Sequence, residues 1–265
     1  MTMFEQYLLE VSNLAISASQ KIMKHYKKDT KVTIKADQSP LTNADIDSND
    51  MIFSGLSKID STIPIFSEES LVDWEIRKTW NKYWLIDPLD GTKEFIHKNG
   101  EFTVNIALIE NNTPVLGVIF VPVLSTLYFA SQNYGSFKLS CSTNLSSLNQ
   151  SNKIQVNQKK KSDHLLVIGS RSHSNQGFNK WVQENIEDYE LIKTGSSLKF
   201  CRIADGSADL YPRFGPTSEW DIAAGHIILT EAGGSIISVD NNEIVYNTKK
   251  DILNPYFIAS CKLSD

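Results

Sequence analysis

Cysteine is scarce in this chain. Cys141, Cys201 and Cys261 are the only three in 265 residues, an odd number with no C-x-x-C pair. That argues against a disulfide framework and a zinc knuckle, which need closer, paired spacing, and leaves free thiols in a reducing compartment. Long apolar runs are missing too. The most apolar stretch, Val115 to Ala130, is broken by Gly117, Pro122 and Ser125, and is too short to span a bilayer. The N-terminus shows neither the basic patch nor the apolar run of a secretory signal. A soluble, cytoplasmic protein is expected. An excess of positive charge is also absent: 26 Lys and Arg face 31 Asp and Glu, for a formal net charge of -5. A general nucleic-acid coat is therefore not expected. An anionic substrate would need cations supplied locally, by metal ions or a few placed Lys and Arg.

What remains is an ordinary globular composition, 41% hydrophobic and 22% charged, in a chain long enough to bury a large core unaided. No internal repeat is visible. Phe4, Leu8, Val11, Ala15, Ala18 and Ile22 recur at steps of four and three, which predicts an amphipathic helix. Thr42 with Asp45 three residues on predicts the start of a second helix running to about Lys58, with Ile46, Ile52, Phe53 and Leu56 inward. Pro64–Ser67 reads as a brief strand ending at Glu68 and Glu69. From Tyr83 onward the pattern turns to strands, at Tyr83–Ile86, Phe102–Ile109, Val115–Val121 and Thr126–Ser131. Ser140 to Asn152 reads as a surface loop between an N-terminal lobe of about 1–140 and a C-terminal lobe of about 153–265. Beyond it come a strand at Leu165–Gly169, helices near Asn175–Asn185 and Ser197–Asp205, and a strand at Ala208–Tyr211. A last helix is expected to open at Asp221 and to end before Gly233-Gly234. The fold class is α+β, with sheets and helices in layers.

The informative stretch is Trp84-Leu85-Ile86-Asp87-Pro88-Leu89-Asp90-Gly91-Thr92. An apolar strand delivers two aspartates, Pro88 is expected to stop the ladder, and Gly91 permits a tight turn into a helix at Thr92. Two carboxylates this close repel unless a cation sits between them. Oxygen ligands of this kind suit Mg²⁺, and the Gly91 and Thr92 N–H groups would face an anion. An Asp-Pro turn followed by an Asp cap is the plain alternative. Glu68 at a strand end, Asp221 at a helix start and Asp45 beside Thr42 each have a plain reading as solvated acid or cap; their conjunction points to a site. The D-x-D-G-T pattern of haloacid-dehalogenase phosphatases is not met, because Pro88 stands where the attacking aspartate would be.

These residues resemble a known family. Glu68-Glu69, Asp87-Pro88-Leu89-Asp90-Gly91-Thr92 and Trp220-Asp221-Ile222-Ala223-Ala224-Gly225 match, in order and spacing, the marks of the lithium-sensitive, Mg²⁺-dependent inositol monophosphatase superfamily. Lys93-Glu94-Phe95-Ile96, Asn99 to Asn105, Gly195 to Cys201 and Tyr211 to Pro216 look like its branch of CysQ-type 3′(2′),5′-bisphosphate nucleotidases. The resemblance implies a layered αβαβα sandwich and removal of the 3′-phosphate of adenosine 3′,5′-bisphosphate, a by-product of sulfate assimilation. Some such enzymes also accept the sulfated nucleotide or inositol 1,4-bisphosphate.

It also implies that Glu68, Asp87 and the Leu89 carbonyl hold one Mg²⁺, and that Asp87, Asp90 and Asp221 hold a second, with Glu68 helping a weaker third. Thr92 and Asp45 would relay the attacking water's proton. The substrate would lie against Glu68, Leu89, Asp90, Gly91, Thr92 and Asp221. A second phosphate needs a second cationic pocket, for which Lys199 and Arg213 are the candidates, with Ser196 donating. Ser170-Arg171-Ser172-His173 is a further candidate contact. His226 and His97 are read as packing or surface residues, and Trp74, Trp80 and Trp181 as core or interface. The resemblance leaves peripheral association with the inner membrane face open, although no basic amphipathic helix here calls for it. Two rival functions stay open: an inositol monophosphatase or inositol polyphosphate 1-phosphatase, and a silent nucleotide-binding scaffold.

Overall fold

The computed structural model describes residues 3–27, 32–34, 40–170 and 176–264. The Phe4 side chain, Asn175, and Arg171, Ser172 and His173 lie outside the described residues. The first apolar stripe forms α1 (Met3–Tyr26), in which Leu8, Val11, Ala15, Ala18 and Ile22 are fully buried. A short antiparallel pair, β1 (Val32–Ile34) and β2 (Pro40–Thr42), leads into α2 (Asn43–Ile59). Thr42 caps α2 and the Asp45 carboxylate reaches back to its N–H, forming the expected capping box. Ile52 and Leu56 point inward, but Ile46 and Phe53 are 43% and 41% exposed. The buried stripe is Asp45, Ser48, Asn49, Ile52 and Leu56. Its first turns are polar because they border the site, so the apolar positions alone misplace the helix face by one residue, about 100°.

Next come β3 (Ile65–Ser67), α3 (Trp74–Arg77), β4 (Lys82–Asp90), α4 (Thr92–Ile96), β5 (Thr103–Glu110), β6 (Thr113–Val121), β7 (Thr126–Ser131) and β8 (Gly135–Ser140). The loop 141–151 is pinned to α1, where the Asn13 side chain bonds both the N–H and the C=O of Leu145. It returns the chain to the same sheet as β9 (Asn152–Ile154). These seven strands lie side by side in chain order; β3 runs parallel to β4 and every other pair is antiparallel.

The ladder between β4 and β5 does not stop at Pro88, as the sequence reading had it. Asp87 pairs with Asn105 and Asp90 with Thr103, so three residues are spanned against two. Pro88 sits inside this bulge, where no ladder N–H is needed, and the strand resumes to Asp90.

The second half supplies β10 (Gln158–Lys160), β11 (Leu165–Ser170), α5 (Gln176–Asn185), β12 (Tyr189–Thr194), α6 (Leu198–Ala204), β13 (Leu210–Arg213), α7 (Glu219–Glu231), β14 (Ser235–Ser238), β15 (Phe257–Ser260) and β16 (Lys262–Ser264). A mixed five-stranded sheet runs in the order β12-β11-β13-β15-β14, and β10 pairs with β16. Helix α7 opens two residues before the expected Asp221. Ser218 is its cap and Asp221 is the third helical residue, reaching back to the Ser218 N–H in a second capping box.

Alternation along β4 explains the layering. Trp84 and Ile86 enter one core with α1 and α2, while Tyr83 and Leu85 enter another with α6 and α7. The second core continues onto the five-stranded sheet through Ile168, Tyr211 and Phe257. On the far side of that sheet, Leu165, Val167 and Leu210 pack with Val182 of α5. The order is therefore helix, sheet, helix, sheet, helix, the expected αβαβα sandwich. At Gly117 of β6 an added Cβ would lie 2.6 Å from the Ala224 carbonyl, so glycine lets α7 settle directly on the sheet.

Candidate active site

Strand β4 ends, with its bulge, at one mouth of this sandwich. Asp87 is almost wholly buried, and its Oδ1 accepts from the Leu89 N–H at 3.1 Å. The Pro88 carbonyl is held by Ser48 Oγ of α2 at 2.7 Å. Gly91 follows with φ +90, a left-handed turn that a side chain would strain, and hands the chain to α4. The two capping boxes bring in Asp45 and Asp221. Asp45 Oδ2 accepts from Thr42, while its Oδ1 accepts from Thr92 Oγ1 at 3.1 Å. Asp45 is therefore both the cap partner and the carboxylate next to Thr92; the two readings do not compete.

Glu68, Asp87, Leu89, Asp90, Gly91, Thr92, Ser196, Lys199, Arg213 and Asp221 line a single cavity of about 280 Å³. The cavity thus gathers the expected metal and substrate positions, with Asp45 reaching it through Thr92. Ser170, the one described residue of the 170–173 candidate stretch, is in its lining as well.

Burial pushes the Asp87 carboxyl well above its ordinary range, and repulsion from Glu68, Asp90, Asp221 and Asp45 adds to this. Asp221 is raised for the same reasons, burial first and Asp90 next. Lys199 behaves oppositely. It is buried, not a solvated helix residue, and desolvation pulls it down to about 8. Its Nζ lies 5.4 Å from the centre of the Tyr211 ring. Arg213 Nη2 donates to the Pro216 carbonyl at 2.8 Å.

The acids share a cavity instead of a closed cage: among the described residues no three Asp, Glu, His or Cys side chains cluster tightly enough to hold a metal by themselves. The donor set nonetheless fits Mg²⁺. It offers carboxylate and carbonyl oxygens only, its buried acids repel one another, and its open side leaves room for the waters and phosphate oxygens that Mg²⁺ retains.

Several functional neighbours were not singled out from the sequence. Asp90 Oδ2 accepts from the Ser197 N–H at 2.6 Å and from Asn105 Nδ2 at 3.3 Å, and Ser197 Oγ lies 2.6 Å away. That hydroxyl is also 2.6 Å from the Asp221 carbonyl, so it ties β4 to α7. Asn105 and Ser197 lie in stretches that carry the family resemblance, but nothing local distinguishes them from ordinary polar residues. Ser196 takes a left-handed φ of 45 at the cavity edge, a strained setting for a side chain.

The residues set aside stay outside the cavity lining. His226, bonded to Tyr246 OH at 3.0 Å, is pulled down to about 4 by burial and is neutral. His97 is exposed beyond α4, Trp80 packs on Tyr83, and Trp74 lies under Arg77. Trp181 faces Phe214, at the edge of a second, more apolar cavity of about 320 Å³. Phe178, Leu191 and Phe214 line this second cavity, which shares Ser170, Tyr211, Arg213 and Pro216 with the first.

The chain as a whole is similar to known proteins. The model of the inositol monophosphatase family matches residues 5–262. The chain is 43% identical over 252 residues to the 3′(2′),5′-bisphosphate nucleotidase CysQ of Salmonella typhimurium, covering 94% of this chain and 98% of that protein. It is 42% identical over 253 residues to the protein of the same name from Escherichia coli K12, covering 95% and 98%. The crystal structure of CysQ from Bacteroides thetaiotaomicron, described as a bacterial member of the inositol monophosphatase family, superposes with a TM-score of 0.87. Its identity is 39%, and 98% of each chain is covered.

Proposed function

The chain belongs to the inositol monophosphatase family, and from that premise we propose that it is a Mg²⁺-dependent 3′(2′),5′-bisphosphate nucleotidase. It removes the 3′-phosphate of adenosine 3′,5′-bisphosphate to give AMP and phosphate, a step linked to sulfur assimilation. The observation that carries the substrate choice is that Lys199 and Arg213 line the same cavity as Asp87, Asp90 and Asp221. One phosphate ester needs only the acid side of that cavity. A second phosphate gives the two cations a partner, and the adjoining groove at Phe178 and Phe214 offers the base an apolar surface.

Glu68, Asp87 and the Leu89 carbonyl would hold one Mg²⁺, and Asp87, Asp90 and Asp221 a second, with Asp87 shared and Glu68 serving a weaker third. When bound, the metal supplies charge neutralisation and acidifies the attacking water. The chain's own residues do the rest. Thr92 Oγ1 is hydrogen-bonded to Asp45 Oδ1, so a proton leaving the water has a hydroxyl to pass through and a carboxylate to reach. Oxygen of that water bonds phosphorus in line as the bond to the ribose 3′ oxygen breaks, and the departing oxygen takes a proton from solvent. Gly91 and Thr92 border the phosphate position, and Ser197 and Asn105 hold Asp90 in place. No side chain is a nucleophile in this scheme. The three cysteines are free, two of them buried, which suits a reducing cytoplasm. Among the described residues no helix is long and apolar enough to cross a membrane.

The test is phosphate release by Lys199→Met, with adenosine 3′,5′-bisphosphate set beside inositol 1-phosphate. Loss confined to the nucleotide supports the assignment. Equal loss on both esters, or none on either, would return the substrate to the inositol phosphates.

A further inference from the structure

Outside the cavity lining lies a buried polar cluster that the chemistry does not use. Arg77 ends α3 with only 2% of its surface exposed. Its Nη1 donates to Asn247 Oδ1 at 2.6 Å and its Nη2 to the Lys250 carbonyl at 2.6 Å. Asn247 Nδ2 donates back to the Arg77 carbonyl at 2.6 Å, and the Asn247 N–H donates to Glu219 Oε1 at 2.9 Å. Glu219 and Asn247 are 2% and 4% exposed.

Each end of this chain of bonds sits next to an acid of the site. Glu219 is the first residue of α7, two before Asp221. The Arg77 guanidinium lies 5.0 Å from the ring centre of Phe66, in β3, two residues before Glu68. Phe66 in turn meets Trp220 edge-on at 5.6 Å. The same loop is tied to the β5–β6 hairpin, since Asn112 and Tyr246 exchange backbone and side-chain bonds.

We propose that Arg77, Asn247 and Glu219 form a latch that positions Glu68 and Asp221 relative to each other, and so sets the affinity for Mg²⁺. Glu68 follows a strand of the seven-stranded sheet, and Asp221 belongs to a helix sandwiched between the two sheets. From the cavity side, Ser197 ties α7 to β4, the neighbour of β3. A buried Arg and a buried Glu are costly to desolvate, and apolar packing would serve mere cohesion as well. Directional hydrogen bonds instead link α7 through Asn247 to Arg77, whose guanidinium over the Phe66 ring carries the link to β3. None of the three residues lines the cavity, so they are positioning residues, not catalytic ones.

This inference rests on the metal reading of the site, and the experiment separates the two. MgCl₂ alone is titrated into the full chain, with binding followed by calorimetry and by the Mg²⁺-induced rise in Tm. Asn247→Gly removes the side chain yet tolerates the left-handed φ of 53 at this position. Arg77→Lys keeps the charge and loses the fork. For residues behind a metal site, affinity should weaken about tenfold or more in both variants. The Mg²⁺ needed for half-maximal turnover should rise in parallel, with kcat at saturating Mg²⁺ nearly unchanged. A Tm lowered equally with and without Mg²⁺, at unchanged affinity, would show a merely structural clamp and overturn the latch. Should Asn247→Gly fail to fold, Arg77→Lys decides alone. A wild-type chain that shows no response to Mg²⁺ would overturn the metal reading and the latch together.

Discussion

The acid side and the cationic side of the cavity are built differently. The acids are anchored by backbone hydrogen bonds: Asp45 and Asp221 in capping boxes, Asp87 on the Leu89 N–H, Asp90 on the Ser197 N–H. The cations are placed by burial and rings, Lys199 over Tyr211, and Arg213 tethered to one loop carbonyl. Anchored acids stay close although they repel, which is what a site awaiting metal ions requires. A Lys held by packing on a flexible stem can adapt to a phosphate that is present in one substrate and absent in another. On the proposed reading, the acid side carries the chemistry and the cationic side the selection.

The largest break of this contrast is Asp87→Asn. Turnover should fall at least about a thousandfold on every phosphate ester, as expected when charge stabilisation at a phosphoryl group is lost. In chelator the same variant should be more heat-stable than wild type at pH 8. The sign follows from proton linkage. The raised Asp87 and Asp221 carboxyls bind protons more tightly folded than unfolded, so stability is full below their ordinary value of 3.8 and is lost as pH rises. Chelated wild-type protein should accordingly melt lower at pH 8 than at pH 5, and Mg²⁺ should remove the difference.

Thr92→Val and Asp45→Asn come next, with kcat lower by about a hundredfold or more and substrate binding largely kept. Single-turnover kinetics on a bisphosphate would separate the two quantities. If KM moved instead of kcat, the proton path through Thr92 would be wrong. Lys199→Met should act on the other side of the contrast, raising KM for the bisphosphate roughly tenfold to a hundredfold, as for a lost charged hydrogen bond. Its effect on inositol 1-phosphate should be slight.

The smallest effect is that of pH. Lys199, at about 8, must be protonated to meet a phosphate, so kcat/KM for the nucleotide should decline as pH rises past 8. That limb should flatten in Lys199→Met, and a profile that kept it would assign the titration elsewhere.

Much of the acid side was legible because it is local. Asp87 to Thr92 is one strand end and one turn, and Thr42 with Asp45 is a cap pattern readable at three-residue spacing. The fold class followed from the same periodicities, although Ile46 and Phe53 misled because the inner face of α2 is polar near the site. The Pro88 bulge was hidden because a proline that ends a ladder and one that fits a bulge look alike in sequence. Asp221 was placed two residues early in its helix for a similar reason: the first and third helical positions both favour acids. The roles of Asn105, Ser197 and Arg77 depend on partners 15 to 173 residues away, and no spacing rule reaches that far. Lys199 was named, but its burial against Tyr211 is a tertiary fact.

The division of labour between the two sides is tested most directly by phosphate release from adenosine 3′,5′-bisphosphate and from inositol 1-phosphate, each with Mg²⁺ and then with excess chelator. The account predicts a preference for the nucleotide that disappears with the activity when Mg²⁺ is withdrawn. Release that survives chelation would contradict the role given to the acids, and a preference for the inositol ester would contradict the role given to Lys199 and Arg213.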